Sequence, residues 1–213
     1  MKITKYEHAC VVIEDKDQKL VVDPGVFTTS LPTDLRSVVG VVITHQHADH
    51  LNKEHLQNIF SQNPNMTVFA PQDVLNELTG IKVTKVLAEP GQTMNVGTFT
   101  LDFFGRDHAV IYETIPCQNV GVLVNKSFYY PGDSFTEPGV PVKVLAVPAG
   151  APWMKMSEAM TFIHAMQPET AFATHDVLYN NIGAHMSYNY LAQATEAAGG
   201  NWNLLMPSDS LDI

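Results

Sequence analysis

The segment Thr44-His45-Gln46-His47-Ala48-Asp49-His50-Leu51 puts four metal-competent side chains within six residues. Histidine offers a neutral imidazole nitrogen and aspartate an anionic oxygen, and both suit zinc and related divalent ions. A sharply turned loop at this spacing can aim His45 and His47 at one ion and Asp49 and His50 at a second. A polar surface turn seldom concentrates so many such groups, so the chemistry implied is metal binding. Residues 38–44, which run straight into this loop, form a near-continuous apolar stretch. That is the pattern of a strand buried on both faces, so the loop is expected at a strand end.

The elements that must position the loop alternate along the chain. Residues 3–6, 9–14 and 19–23 read as short strands, the third ended by the turn Asp23-Pro24-Gly25. Asn52 reads as the N-cap of a helix over 53–60, with Leu56, Ile59 and Phe60 on one stripe. A strand over 66–70 precedes a helix opened by Pro71, running through Leu78 and stopped at Gly80. Strands are expected over 83–87, 93–96, 99–104, 121–124 and 128–130, the last two joined by a hairpin turn at Asn125-Lys126-Ser127. The alternation continues with a strand over 142–147, a helix over 157–166 capped by Ser157, and a strand over 170–174. A helix over 188–198 ended by Gly199-Gly200 and a last strand over 202–206 complete the chain. Spacing alone supports a mixed α/β chain with one domain over residues 1–213.

Composition narrows the partners. The chain has 213 residues, 45% of them hydrophobic, which suffices for a sizeable core. Twelve basic against 22 acidic residues give a formal net charge of −10, with no Lys/Arg cluster to meet phosphates, so no nucleic-acid partner is expected. No apolar run is long enough for a membrane helix. The first 14 residues read as a folded strand rather than a secretory leader, which points to the cytoplasm. Cys10 and Cys117 make no disulfide framework and read as half-buried apolar residues in strands. Homo-oligomeric assembly is left open.

His-x-His-x-Asp-His after an apolar strand resembles the metallo-β-lactamase superfamily, and the resemblance extends across the whole chain. It implies a four-layer αββα sandwich, two mixed sheets face to face with helices outside, with the site at one edge between the sheets. Within it, Asp23 in Val21-Val22-Asp23-Pro24-Gly25 looks like an aspartate that braces the metal loop by hydrogen bonds. His108 after the strand 99–104, Asp133 in Tyr130-Pro131-Gly132-Asp133-Ser134 and His175 after the strand 170–174 match the family's remaining ligands. The resemblance therefore implies His45, His47 and His108 around one metal, Asp49, His50 and His175 around the other, and Asp133 bridging. Two divalent ions, zinc by default with manganese or iron tolerated by the same donors, bring +4 against −2 from Asp49 and Asp133. Such ions lower the pKa of a shared water and stabilise a developing oxyanion.

The short chain, Tyr6-Glu7-His8-Ala9, His108-Ala109-Val110-Ile111, the Asp133 turn and Thr174-His175-Asp176 look similar to one branch, the small hydrolases related to ascorbate-6-phosphate lactonase. That implies a metal-dependent hydrolase of an ester, lactone or phosphodiester bond in a small-molecule substrate. Asp49 would act both as ligand and as proton acceptor. The rival expectation is a di-iron redox protein or a non-catalytic metal-binding protein of the same fold. Redox members resembling flavodiiron proteins usually carry an acidic residue and often a flavin domain, whereas this chain has His47 and no such appendage.

Other residues carry weaker expectations. His8 is a strand-end residue that can support the site, and His185, read in a loop, can line the pocket. His55 and His164 read as surface or packed histidines. Trp153, Met154 and Met156 can form a pocket wall, Arg106 can pair an anionic group, and Tyr112 and Tyr179 can donate protons.

Overall fold

The computed structural model describes residues 1–113 and 115–213. Seven strands form a first sheet in the order β14-β1-β2-β3-β4-β5-β6. They are β1 (Lys2–Lys5), β2 (Val11–Asp15), β3 (Gln18–Val22), β4 (Val38–Val42), β5 (Thr67–Ala70), β6 (Thr84–Leu87) and, from the far end of the chain, β14 (Ser210–Asp212). A second sheet has the order β13-β12-β11-β10-β9-β8-β7. It comprises β7 (Thr93–Val96), β8 (Phe99–Phe104), β9 (Gly121–Val124), β10 (Phe128–Tyr130), β11 (Val144–Pro148), β12 (Thr170–Thr174) and β13 (Asn201–Trp202). Helices α1 (Lys53–Gln62) and α2 (Gln72–Glu77) pack on the first sheet; α3 (Met156–Met166) and α4 (Asn181–Ala197) pack on the second. The result is the αββα sandwich.

The two-residue period of a strand divides its side chains between two cores. Val11 and Ile13 point between the sheets while Val12 points at the helices; Val22 and Val42 point inward while Val21 and Val41 point outward. The central core also takes Phe69, Phe99, Leu101, Phe103, Phe128 and Phe172. Phe128 stacks on Phe172 with ring centroids 5.9 Å apart. Strands buried on both faces read as unbroken apolar runs for this reason, and burying each such side chain contributes about 1.5–3 kcal/mol.

Strand direction sets where the site falls. β1 and β3 are each antiparallel to β2, and β4 is parallel to β3, so β1, β3 and β4 run the same way. In the second sheet β8 and β10 are each antiparallel to β9, while β11 and β12 run parallel to β10. The carboxyl ends of β8, β10, β11 and β12 therefore share one edge, and those of β1, β3 and β4 share one edge of the first sheet.

Several expected boundaries change. α4 starts at Asn181, seven residues before the expected start at Tyr188, because Asn180 caps it by accepting from Gly183 N at 3.0 Å. His185 consequently lies on the helix, exposed, and not in a loop. α3 starts after Lys155, not Ser157, and Glu158 reaches back to accept from Lys155 N at 2.8 Å. The last strand is shorter than 202–206, and β14 was not anticipated; only its pairing with β1 makes Ser210–Asp212 a strand. Cys10 lies one residue before β2 and Cys117 in the loop before β9, both as free thiols.

Candidate metal centre

The His-rich loop leaves the end of β4 and is braced from below by Asp23 at the end of β3. Asp23 is fully buried and accepts from Thr44 N at 2.7 Å through Oδ1, and from Thr44 Oγ1 at 2.6 Å and His50 Nδ1 at 2.7 Å through Oδ2. The turn after Asp23 lies directly on the loop: Val26 N donates to Ala48 O at 2.8 Å and Asn52 N to Pro24 O at 3.0 Å. Only glycine fits at position 25, because a Cβ there would sit 1.8 Å from Asp49 O.

The strand ends gather all seven sequence-predicted site residues, His45, His47, Asp49, His50, His108, Asp133 and His175. Donor atoms of His45, His47 and His108 lie within 4.8 Å of one another, as do those of His45, His50 and Asp133. A further group of the same compactness joins Asp49, His50 and His175 with His8, a residue expected only to support the site. Asp133 lies among them all. Its Oδ2 is 3.1 Å from His175 Nε2, 3.3 Å from His108 Nε2 and 4.0 Å from His45 Nε2, and its Oδ1 is 3.1 Å from His50 Nε2. Asp49 Oδ2 is 2.9 Å from His8 Nε2 and 3.3 Å from His175 Nε2.

Ring tautomers follow from the outer partners. Thr44 Oγ1 donates its one hydrogen to Asp23, so His45 Nδ1, 3.0 Å away, must donate to that hydroxyl. His108 Nδ1 donates to Ala109 O at 2.6 Å and His175 Nδ1 to Gly150 O at 2.7 Å. His45, His50, His108 and His175 in their neutral form therefore turn an Nε2 lone pair to the centre. His47 is reversed: its Nδ1 is 3.1 Å from His45 Nε2, and its Nε2 meets Cys117 Sγ at 3.7 Å.

Burial dominates the protonation of the first group. It pushes the His45 pKa well below the ordinary imidazole value and lowers those of His47 and His8. Burial also acts most strongly on His50 and His175, but carboxylates override it there. Asp133 and Asp23 hold His50 well above its usual range, and Asp133 with Asp49 lifts His175 to about 9. Burial would likewise raise both carboxylates, yet His175 and His8 hold Asp49 low, and His50, His108 and His175 hold Asp133 low.

These residues fit a divalent cation. Among the described residues, the buried side-chain atoms without a hydrogen-bond partner include His50 Nε2, His108 Nε2, His175 Nε2 and Asp133 Oδ1. All four face the centre. Orphaned polar atoms in an interior are costly, and a cation satisfies them together. The site is strained as well as orphaned. His8, Asp23 and His175 have φ of 61°, 47° and 55°, a region that disfavours residues with a Cβ. His175 N donates to His8 O at 2.9 Å, tying two of these residues together across the sandwich.

Sequence reading missed the supports. Asn119 accepts from Asp133 N at 3.0 Å through Oδ1 and donates to Pro131 O at 3.0 Å, fixing the Asp133 turn. Lys5 is buried, 2.9 Å from Asp176 Oδ2, and Tyr188 OH donates to the same oxygen at 2.8 Å, anchoring the residue after His175. A lysine at an inward position of a short strand was the available signal. Trp153, read as a wall residue, is buried and donates Nε1–H to Asp133 Oδ2 at 2.8 Å. His55, read as solvent-facing, is half-buried and bonds Thr28 O at 2.9 Å, while His164 and His185 are exposed. Arg106 is exposed and lines a separate cleft with Gln72 and Gln118.

A family model described as a beta-lactamase superfamily domain matches residues 2–175. The chain belongs to the beta-lactamase superfamily. It is 31% identical over 207 residues to protein Rv0786c of Mycobacterium tuberculosis, covering 92% of this chain and 93% of that one. It is 26% identical over 195 residues to a metal-dependent hydrolase of Carboxydothermus hydrogenoformans, covering 82% and 84%. Its fold is similar to that of Igni18, a metallo hydrolase of Ignicoccus hospitalis, with a TM-score of 0.77, 19% identity and 100% and 98% coverage. The di-iron β-hydroxylase CmlA of Streptomyces venezuelae matches with a TM-score of 0.78 and 16% identity, covering all of this chain and 54% of that one. Within the superfamily the chain is a metal-dependent hydrolase.

Proposed function

We propose that the chain is a two-metal hydrolase of an ester, lactone or phosphodiester bond in a small molecule. His45, His47 and His108 would hold one ion and Asp49, His50 and His175 the other, with Asp133 shared. The observation that carries this reading is the set of buried, unpartnered donor atoms around Asp133. Zinc suits the donor set of imidazoles and carboxylates without thiolate, and manganese or iron is compatible with it. When bound, two such ions activate water at neutral pH and stabilise the charge that develops on the attacked oxygen.

The chain's own residues supply orientation and proton handling. Thr44, Asp23, Ala109 O and Gly150 O fix the imidazole tautomers that present lone pairs. Trp153 orients the Asp133 carboxylate, and Asn119 holds the Asp133 backbone. Asp49 is the half-exposed carboxylate of the cluster, and its contacts to His8, His50 and His175 all involve Oδ2. Its Oδ1 is then the atom that takes a proton from water and passes it to the leaving oxygen, completing addition of water across the bond.

Metal analysis of protein purified without added metal tests this directly. Two zinc or manganese ions per chain, with hydrolysis of a phosphodiester, lactone or acyl ester lost in Asp49→Ala, is the expected result. A coloured di-iron centre that reacts with oxygen and hydrolyses none of the three substrates would overturn it.

A further inference from the structure

Eleven of the sixteen large apolar side chains exposed among the described residues fall on three segments, at positions 26–27, 110–112 with 115, and 177–186. A folded chain has no reason of stability to concentrate apolar surface in this way, and such patches mark binding sites. Each segment is tied to the metal centre. Val26 and Phe27 follow the turn packed on Asp49, and the Phe27 ring meets His8 edge-on at 5.2 Å. Val110 and Ile111 follow His108, and Ala109 N donates to Asp133 O at 2.9 Å. Leu178 and Ile182 follow His175. Between them Tyr179 lies so close over Gly150, the acceptor of His175 Nδ1, that a Cβ there would be 2.1 Å from its ring.

The same segments hold no lysine or arginine: their one formally charged residue is Glu113, in a chain of net charge −10. They offer no lysine or arginine to neutralise a phosphate or a second carboxylate. His47 is exposed and Asp49 half-exposed, so the centre opens to solvent on their side. A second copy of the chain laid on the apolar edge would close that entrance, whereas a small molecule reaching the centre would occupy it. Resting on the hydrolase reading above, we infer that these three segments bind an uncharged hydrocarbon portion of the substrate, an alkyl or aryl group next to the bond that is cleaved.

Unbranched p-nitrophenyl esters from acetate to octanoate test the inference on the metal-loaded protein. Transfer of each methylene out of water predicts that kcat/KM rises by up to about fourfold per carbon. Ile111→Asp and Ile182→Asp, both surface substitutions, are expected to lower kcat/KM on the octanoate at least about tenfold. Val140→Asp, equally apolar and exposed but on the loop entering β11, is expected to leave activity unchanged. Titration of metal-stripped protein with 1-octanol and 1-butanol, followed through the Ile methyl resonances, reads binding without hydrolysis. Octanol binding that is stronger than butanol binding and lost in both Asp variants sustains the inference even if no ester is hydrolysed, and in that case only the ester arm of the hydrolase reading fails. A flat chain-length series in an active enzyme, equal binding of the two alcohols, or a dimer that Ile182→Asp dissociates without changing the series would each overturn it.

Discussion

On one side of Asp133, His45, His47 and His108 bring three imidazoles together without a carboxylate of their own. On the other, His50 and His175 share Asp49 and Asp133 beside His8, and His50 has Asp23 as well. The consequence is electrical. Burial leaves His45 and His47 neutral, so their lone pairs are ready for a cation. The same burial is outweighed at His50 and His175, where the neighbouring carboxylates favour the protonated imidazole. Two halves built from one ligand type thus differ in what must leave before a metal enters, because one half carries its counter-charge with it.

Asp133 belongs to both halves, so its loss is expected to have the largest effect. Asp133→Ala should abolish binding at both positions and lower hydrolysis by about a thousandfold, since metal charge stabilisation is worth several kcal/mol. His47→Ala and His175→Ala should each leave one metal per chain by elemental analysis. Loss of both ions in either single variant would show that the halves are not separable.

The pH dependence should then tell the halves apart. His175 has a folded pKa near 9, and that of His50 lies well above normal, so each carries a proton at pH 7. Metal entry must displace these protons, and calorimetry in buffers of different ionisation enthalpy should record release of about two per chain. Affinity for the ion at His50 and His175 is expected to rise with pH until about 9, whereas affinity for the other ion should be flat over that range, because burial lowers His45 and His47. In the metal-free protein the sign is the reverse. The raised pKa of His175 contributes stability that is fully present below pH ~6.5 and fades as pH rises through about 9, measurable by urea denaturation.

Smaller effects sharpen the same contrast. His8→Asn removes the imidazole partner of Asp49 and should weaken metal binding about 10- to 100-fold on the carboxylate-rich side alone. An equal loss on both sides would mean that His8 acts through the fold instead. His164→Ala and His185→Ala, both exposed, should change stability by no more than about 0.5 kcal/mol and leave metal content unchanged.

Local signals made most of this legible. Period-two alternation and apolar runs located the strands because each side chain must choose a core, and Asn52 announced α1 because its side chain accepts from Glu54 N. The His-rich loop was legible because its four candidate donors are adjacent in sequence. The early start of α4 was hidden because Asn180-Asn181 and Gly183 read as a turn, and the cap at Asn180 decides it. β14 was hidden because an edge strand of three residues has no signal apart from its partner β1.

What the residues by themselves determined is the chemistry: four donors in one loop, an aspartate ahead of it, and the strands that lead to His108, Asp133 and His175. Only the tertiary structure decided which donors meet, which ring nitrogen faces inward, and which of the nine histidines matter. His8 and Trp153 touch Asp49 and Asp133 from 41 and 20 residues away in sequence. Residue type and local spacing fix what a side chain can do. Strand direction and sheet packing fix what it does it to, because parallel strand ends bring together positions that the chain keeps far apart.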